Sequence, residues 1–493
     1  MNYRLVARYL GFFTVAIGGL MLPAMAWAVY YREWDALVAL ALSILVGSVV
    51  GGLLILLGRK APEQMYQREA LTLVSVSWVV AAGVGALPFI FGNVLGPVDA
   101  FFESMSGFTT TGSTVIQDIE ACPKSILFWR ALTQWIGGMG IVVLFIAVLP
   151  YLGAGGKLLF RSEGSGPDPR GLSPHIKDTA SLLYKIYLGL TLVETLALML
   201  TGFSFYDALS HTLTTLSTGG FSPNQASIAA YDSLAAEVII IVFMIVGGTS
   251  FAIFFAMLRG NWKAPFENTE WRVYISIILI AIALMSLNLI FGSHGAVDGI
   301  QSDEGYPFTK AVRSASFQVV SIMTGTGFVT EDFDLWPAFS RMLLVMLMFT
   351  GACAGSTAGG MKVVRIIMLA KMAYWSVENT FRPKTIRAVR IGGEVVSVEV
   401  QRMVYAFLVL YVTWFVFGTL FMSALGLPFQ TAASSVAATL NNIGPGLELV
   451  GATRDFSGIP AAGKLFLTLC MALGRLEMFS ICVLFIPSFW IHR

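Results

Sequence analysis

Charged residues are scarce in this chain. Only 12% of its 493 residues are Asp, Glu, Lys or Arg, whereas 56% are hydrophobic, and the mean hydropathy is +0.76. A soluble globular domain carries roughly 25% charged residues. The composition therefore excludes an ordinary soluble domain and indicates a membrane protein. The small net charge of +2 gives no reason to expect a nucleic acid partner.

Patterns that bind metals or catalyse reactions are also missing. The four cysteines stand singly, without CxxC or Cys/His spacing, so the sequence predicts neither a zinc site nor a disulfide framework; they are Cys122, Cys353, Cys470 and Cys482. No Walker, Rossmann or catalytic-triad pattern is present. The chain is therefore not predicted to be an enzyme, and nucleotide control would need a partner.

Long apolar runs, in contrast, are abundant. A membrane span needs about 20 predominantly apolar residues. That criterion predicts ten spans: an accessory pair at 5–30 and 36–57, then 70–92 with 126–149, 179–202 with 233–258, 271–292 with 335–375, and 401–425 with 461–489. The first run is too long for a signal-peptide core, so we interpret it as a retained span.

Lysine and arginine predict how these spans are oriented. They concentrate on one side, at 4–8, 59–68, 157–177, 259–272 and 362–402. The positive-inside rule makes this side cytoplasmic, with both chain termini. The opposite side is rich in acidic residues, including Asp118, Glu120, Asp332 and Asp334. Such a surface can concentrate cations, or it can be an ordinary solvated loop surface.

A glycine-ended quadruplet recurs between the two spans of each of the last four pairs. The copies are Thr109-Thr110-Thr111-Gly112, Ser217-Thr218-Gly219-Gly220, Thr324-Gly325-Thr326-Gly327 and Asn441-Asn442-Ile443-Gly444. The preceding stretches predict short helices, capped at Asp99, Asp207, Ser314 and Thr431. These helices are too short to cross a membrane, so each unit is predicted to be re-entrant.

Four like units suggest a pseudo-fourfold ring around one axis, which is the geometry of a pore. Backbone carbonyls in such a ring can replace the hydration shell of a cation, and a threonine hydroxyl can add a further ring. Glycine adopts the required backbone conformation at low cost. The carboxyl ends of the short helices also favour cations. We therefore predict that the sixteen quadruplet residues bind the ion, although their unequal sequences predict an asymmetric ring.

On these residues the chain resembles the Trk/Ktr/HKT family of cation uptake proteins, specifically its bacterial TrkH type with two extra amino-terminal spans. The resemblance implies an all-α polytopic membrane protein, with four span–pore helix–span repeats around a central pore. It divides the chain into accessory helices (1–60) and repeats at 61–155, 156–262, 263–395 and 396–493. In that family a glycine in every unit goes with potassium selectivity and a serine in the first unit with sodium permeation. Gly112 thus implies K⁺ as the only metal ion, held at the quadruplets.

A cluster of glycines interrupts the second span of the third repeat. Four glycines inside one span erode helix propensity, which predicts a loop below the quadruplets. The same four-residue spacing also suits a close helix-packing face, and the residues alone leave both possibilities open. The resemblance implies a flexible intramembrane gating loop, which assigns gating to Gly351, Gly355, Ser356, Thr357, Gly359 and Gly360.

Arg475 lies near the middle of the last predicted span. A charge at that depth costs a few kcal/mol or more and usually faces a partner inside the bundle. The residue is therefore expected to reach another element. The resemblance implies that it projects into the pore beside the gating loop as an electrostatic barrier. A structural arginine that ties helices together through carbonyls is the alternative.

The function predicted from the sequence is potassium uptake across a bacterial inner membrane, with no covalent cofactor. A sodium-permeable or nonselective pathway of the same fold, or an ion-coupled solute carrier, remain alternatives. The resemblance also implies a homodimer on cytoplasmic TrkA-type subunits, which would bring the nucleotide, NAD or ATP/ADP. Basic stretches at 157–177 and 382–390 are candidate docking surfaces, or charge that only sets topology.

Overall fold

The computed structural model describes residues 1–61, 66–148, 176–292, 305–382, 388–476 and 478–490. These residues are mainly helical, because a backbone in lipid must satisfy its own hydrogen bonds and helices do so within one segment. The described exception is a two-stranded hairpin, in which Arg390–Ile391 pairs with Glu394–Val395. The prediction of an all-α polytopic membrane protein is confirmed apart from this hairpin.

The amino-terminal helices form a closely packed pair. Tyr3–Gly19 continues into Leu22–Tyr31, and Trp34–Gly58 runs back along them. A Cβ atom built at Gly51 would lie 2.7 Å from the Gly11 carbonyl oxygen, and one at Gly11 would lie 2.6 Å from the Gly51 oxygen. The two backbones approach this closely because neither residue has a side chain, as is common between helices in membranes.

The remaining helices form four repeats, each with a leading helix, a pore helix and a return helix. The leading helices are Gln67–Phe91, Ile176–Leu200, Thr269–Phe291 and Val398–Ala424. The pore helices are Pro97–Phe108, Phe205–Leu216, Phe308–Met323 and Phe429–Leu440. The return helices are Lys124–Val148, Leu234–Gly247 with Phe251–Leu258, Ala338–Met348 with Val363–Phe381, and Ala461–Arg475 with Phe479–Cys482.

Short elements complete the described chain. Ala264–Glu267 and Pro487–Trp490 are single helical turns, and Ser227–Tyr231, Phe333–Leu335, Glu448–Val450 and Val483–Phe485 are 3₁₀ turns. Helices occupy all ten positions where spans were predicted. Six described helices are long and apolar enough to cross a membrane, and the number reaches eight if each of two bent pairs is one span.

The pore helices begin earlier than the sequence predicted. Their N-caps are Gly96, Ser204, Pro307 and Pro428, so the predicted caps at Asp99, Asp207, Ser314 and Thr431 were wrong. Proline at or beside the helix start explains three of these cases, because its fixed φ suits the first turn. In the second repeat the Ser204 hydroxyl accepts the Asp207 N–H at 3.1 Å. The two aspartates lie in the first turn instead, where carboxylates favour the helix dipole.

Breaks in the return helices are more widespread than predicted. The sequence predicted one break, in the third repeat, but the second return helix also bends by 95° and the fourth by 118°. Gly247 and Gly248 lie at the second bend. Arg475 is the last residue of the first segment of the bent fourth return helix. A buried arginine is easier to accommodate there, because cations favour the helix carboxyl end.

Candidate functional site

Each pore helix ends in the same turn, which is built by the quadruplet. The N–H of the third quadruplet residue donates to the carbonyl five residues earlier over 2.8–2.9 Å, and the N–H of the second donates three residues back over 2.9–3.3 Å. This pair of bonds is the Schellman motif, which needs a left-handed residue after the helix. The left-handed residues are Thr110, Thr218, Gly325 and Asn442, with φ of 52°, 54°, 75° and 55°.

Three of these four left-handed residues are not glycine, and two are β-branched threonines. Such residues rarely adopt positive φ, and strained backbone of this kind concentrates at functional sites. From the sequence, an unusual backbone conformation was expected only at the final glycine of each quadruplet. The left-handed conformation at the second quadruplet position was not predicted. Gly325 was the single sequence signal for it, because the other three repeats carry residues that usually avoid this region.

The final glycines join the four repeats into a ring. Their φ values are 85°, 72°, 76° and 102° at Gly112, Gly220, Gly327 and Gly444. A Cβ atom at any of the first three would lie less than 3.0 Å from the third-position carbonyl oxygen of the next repeat, which belongs to Gly219, Thr326 and Ile443 in turn. A Cβ at Gly444 would lie 3.1 Å from the Thr111 oxygen. Each repeat thus contacts the next repeat in the chain, and the fourth repeat contacts the first.

Side chains at the first quadruplet position bind back to their own pore helix. Thr109, Ser217 and Thr324 donate hydroxyl hydrogens to the carbonyl four residues earlier over 2.7–2.8 Å, and the Asn441 amide does the same at 2.8 Å. In the first and third repeats the third-position hydroxyl also lies 2.8 Å from the first-position hydroxyl. The third-position hydroxyls of Thr111 and Thr326 are thus held by protein.

The fourth quadruplet uses amides where the others use hydroxyls. The Asn442 Nδ2 donates to Thr111 Oγ1 and to the Met471 carbonyl, both at 2.9 Å. The Tyr411 hydroxyl donates to Asn441 Oδ1. These bonds connect the fourth quadruplet to the first one and to its own leading and return helices. The ring is asymmetric in its side chains while it keeps a common backbone.

The third return helix is interrupted between Met348 and Val363 by a pinned loop. The Gly351 N–H donates to the Met361 carbonyl at 2.8 Å, and the Val363 N–H donates to the Ala352 carbonyl at 3.2 Å, which closes the loop at its base. Glu270, only 2% exposed, accepts the N–H groups of Ala354 at 2.8 Å and Val364 at 3.0 Å through one carboxylate oxygen. One leading-helix side chain therefore holds both limbs of the loop.

The loop lies against the ends of two quadruplets that adjoin their pore helices. Thr357 Oγ1 donates to the Leu216 carbonyl at the end of the second pore helix, at 2.9 Å, and lies 3.0 Å from the Gly247 carbonyl. A Cβ atom at Gly359 would lie 2.6 Å from Asn442 Oδ1, and one at Gly360 would lie 3.1 Å from Asn441 Oδ1. The small residues of the loop thus permit direct contact with the fourth quadruplet.

Arg475 reaches across to the loop, as a buried charge requires. It is 4% exposed, its Nη1 donates to the Thr357 carbonyl, and its Nη2 donates to the Gly137 carbonyl of the first return helix at 3.1 Å. These bonds use part of the hydrogen-bond donor capacity of the guanidinium. They place its charge beside the loop and also tie three elements together, so both roles considered from the sequence are compatible with this geometry.

Comparison with known proteins identifies the family. The sequence model of TrkH, described as a cation transport protein, matches residues 38–491. The chain belongs to the TrkH family. It is 36% identical over 494 residues to the Trk system potassium uptake protein TrkH of Salmonella typhimurium, which covers 99% of this chain and 100% of that one. The corresponding protein of Halomonas elongata is 38% identical over 496 residues, with the same coverage.

A solved structure of the TrkH family extends the likeness to three dimensions. The crystal structure of the potassium transporter TrkH from Vibrio parahaemolyticus superposes with a TM-score of 0.89 at 34% identity, and the match covers 100% of both chains. The resemblance read from the sequence is therefore confirmed, and the chain is a member of a family of transporters rather than of enzymes.

Two buried polar residues of this TrkH-family chain were not predicted from the sequence to belong to the site. Gln134 lies on the first return helix and contacts the second quadruplet, and Glu270 anchors the loop. Gln134 could have been found, because a polar residue within a predicted span is a functional candidate. Glu270 gave no such signal, since it lies in the first turn of a leading helix, where acidic residues are common.

The surface that was predicted to face outward is less negative than its acidic residues suggest. Lys464 lies 2.6 Å from Asp99, Arg313 lies 3.0 Å from Asp232 and 2.7 Å from Glu237, and Lys310 lies 3.4 Å from Glu331.

Within the described part of the chain, no group of three or more His, Cys, Asp or Glu could hold a metal ion. Most of the two basic stretches proposed for docking, 157–175 and 383–387, lies outside the described residues.

Proposed function

We propose that this protein takes up potassium across the bacterial inner membrane through a gated, potassium-selective pore. The observation that carries the proposal is the closed ring of four quadruplets, each following a pore helix with the same terminal turn. The relatives are potassium uptake proteins and the similar crystal structure is that of a potassium transporter, which supports the same ion here.

The quadruplets are proposed to form the selectivity filter. Left-handed residues at the second and fourth positions alternate with other conformations, and such alternation can direct successive carbonyls toward one side. Carbonyl rings of this kind replace the water that a cation loses. The first-position hydroxyls already donate their hydrogens to the pore helices. Those of Thr109 and Thr324 also accept from the third-position hydroxyls, which leaves one lone pair on each of these two oxygens for the ion.

The loop Gly351–Gly360 is proposed to be the gate, with Arg475 as its barrier. The contacts of Thr357, Gly359 and Gly360 with the ends of two quadruplets that adjoin their pore helices support a position directly below the filter. A cation moving inward would also meet the positive charge of Arg475, which repels it. Displacement of the loop would have to break the bonds to Glu270, Leu216 and Arg475.

The organisation and partners follow from the resemblance and are proposed on that basis. The division into 1–60, 61–155, 156–262, 263–395 and 396–493 would make each repeat one quarter of the pore. Both termini would face the cytoplasm. A homodimer on TrkA-type subunits would bring NAD or ATP/ADP control, because the sequence carries no nucleotide motif of its own.

Tracer uptake into liposomes tests the proposal. Purified protein is reconstituted alone, and ⁸⁶Rb⁺ uptake is measured with potassium, sodium or an impermeant cation as competitor. Block by potassium but not by sodium is expected. Equal block by both would favour the nonselective alternative, and competition by an organic solute would favour a carrier. If no uptake occurs, addition of the cytoplasmic subunit must restore it for the proposal to stand.

A further inference from the structure

The second quadruplet is held by a side chain from another repeat. Gln134, on the first return helix, is completely buried. Its Nε2 donates to the Gly219 carbonyl at 2.7 Å, and its Oε1 accepts the Phe221 N–H at 3.0 Å. The amide therefore bridges the residues on either side of Gly220, which is the final glycine of the second quadruplet.

This bridge stands where the second quadruplet lacks a hydroxyl. In the first and third quadruplets the third residue is threonine, and its hydroxyl bonds to the first-position hydroxyl at 2.8 Å. The second quadruplet has Gly219 at this position. A Cβ atom there would lie less than 3.0 Å from three atoms of the Gln134 amide, its three nearest neighbours. The amide occupies the space that a threonine side chain would fill.

A neighbouring residue fixes the same surface of the first return helix. Arg130, one helical turn before Gln134, donates from Nη1 to the Ser222 carbonyl at 3.1 Å, and its guanidinium lies 3.5 Å from the centre of the Phe221 ring. Its Nε lies 2.5 Å from Glu103 Oε1 on the first pore helix. Gln134 thus projects from a helix whose position against the second quadruplet is set independently.

We infer that Gln134 determines cation selectivity by holding the Gly219 carbonyl in place. The inference rests on the proposed function of the quadruplets as the filter. The Gly219 oxygen accepts from the Gln134 amide at 2.7 Å and faces Gly112, where a Cβ atom would collide with it. Loss of the amide bond frees this carbonyl to move, and a ring whose size varies discriminates less well between potassium and the smaller sodium ion.

Reciprocal substitutions test the inference. In Gln134→Ala we expect the potassium-to-sodium uptake ratio to fall about tenfold, which corresponds to about 1.4 kcal/mol. Gly219→Thr alone should lower uptake at least about tenfold, because the new side chain collides with Gln134. The double variant should recover a selectivity within about threefold of the wild type, since the threonine enters the vacated space and supplies the missing hydroxyl. Residues in contact couple whatever their role, so the inference requires recovery of the potassium-to-sodium ratio itself and not only of the yield of folded protein.

A matched control and a second variant complete the experiment. Thr133→Val alters a neighbouring buried residue whose hydroxyl bonds its own helix at the Arg130 carbonyl, and it should leave the ratio within about twofold. If Gln134→Ala does not fold, Gln134→Met replaces it, because the thioether fills much of the same space but has no hydrogen to donate to Gly219. An unchanged ratio in the folded variant, or no rescue in the double variant, overturns the inference. A wild-type protein without selectivity would instead overturn the proposed function.

Discussion

Left-handed backbone at Thr110, Thr218 and Asn442 sets the shape of three of the quadruplets at the level of single residues. These positions terminate the pore helices and start the segments that would carry the ion. Their strain is tolerated because the surrounding bonds fix it. The final glycines differ in kind, since at three of them a side chain would collide with the neighbouring repeat.

Substitution of the first ring glycine should change selectivity. In Gly112→Ser the Cβ would meet the Gly219 oxygen, and φ of 85° is unfavourable for serine. We expect sodium uptake relative to potassium to rise about tenfold in the liposome assay. Gly458→Ser is the control, because a Cβ there meets no atom within 4 Å. An unchanged ratio in Gly112→Ser would mean that this glycine does not set selectivity.

Asp334 should make the stability of the protein depend on pH. Burial raises the pKa of its carboxyl to about 6, nearby Asp332 and Glu448 act in the same direction, and the Glu448 N–H and Arg341 oppose them. An acid whose pKa is raised on folding stabilises the protein below its unfolded pKa of about 4 and loses that contribution as pH rises through about 6. Apparent melting temperatures of wild type and Asp334→Asn should therefore diverge as the pH rises from about 4 to about 6, and the variant should stay about 1–2 °C higher from there to pH 7.5. Parallel pH curves would contradict this assignment.

At the level of elements, the interrupted third return helix depends on a neighbour for its conformation. Glu270 accepts one N–H from each limb of the loop. Its removal leaves two buried donors without that acceptor, which is costly. The loop conformation seen here is therefore set by a leading helix as well as by its own glycines.

Release of the loop should increase basal flux. In Glu270→Ala, ⁸⁶Rb⁺ uptake without any partner should rise severalfold, because both limbs lose their shared acceptor. Glu270→Gln keeps an amide oxygen at this position and should stay closer to the wild type. If the two variants conduct equally and no faster than the wild type, Glu270 does not hold the gate.

Deletion of 355–358 tests the gate itself. The deletion removes Thr357, which bonds the second pore helix and receives Arg475. Uptake should increase if the segment obstructs the pore. Lost expression would support the helix-packing role of the glycines, and normal expression with unchanged flux would count against both roles. Expression is followed by the yield of monodisperse protein in detergent.

The sequence allowed the elements to be predicted better than their ends. Helices lie at all ten positions where apolar runs predicted spans, because hydrophobic length is a strong signal in lipid. The pore-helix starts were missed since several residues near each start can cap a helix, and proline decided among them. The bend in the second return helix was missed because it depends on the third repeat as well as on Gly247 and Gly248: the Cys353 N–H donates to the Gly248 carbonyl at 3.0 Å, and the Phe251 N–H donates to the Gly355 carbonyl at 3.1 Å.

At the scale of the whole molecule, the ring joins residues that are far apart in sequence. Gly444 faces Thr111, and Ser113 Oγ donates to the Gly444 carbonyl at 2.8 Å, so the fourth repeat meets the first. The recurrence of a glycine predicted that four units should converge. It could not predict the trans contacts of Gln134, Glu270 and Arg475, which depend on packing between repeats.

Potassium should stabilise the assembled ring. An ion bound by all four quadruplets favours the folded state in proportion to its occupancy, by about 2.7 kcal/mol at one hundred times its dissociation constant. The apparent melting temperature of the protein in detergent should therefore rise with potassium and not with sodium at equal ionic strength. Gly112→Ser should weaken this difference, whereas Gly458→Ser should preserve it. Equal shifts for both ions would contradict selective binding.

The four contacts between neighbouring repeats in the ring need not be identical, because a single chain encodes all of them. In a channel made of four identical chains, each mutation alters four places at once. Here a mutation alters only one of the four repeats, so each contact between repeats can change independently of the others. The hydrogen bond from Gln134 to the second quadruplet illustrates such a difference. The junction at Gly444, where a Cβ would still have 3.1 Å to the Thr111 oxygen, is the one with the most room for such divergence.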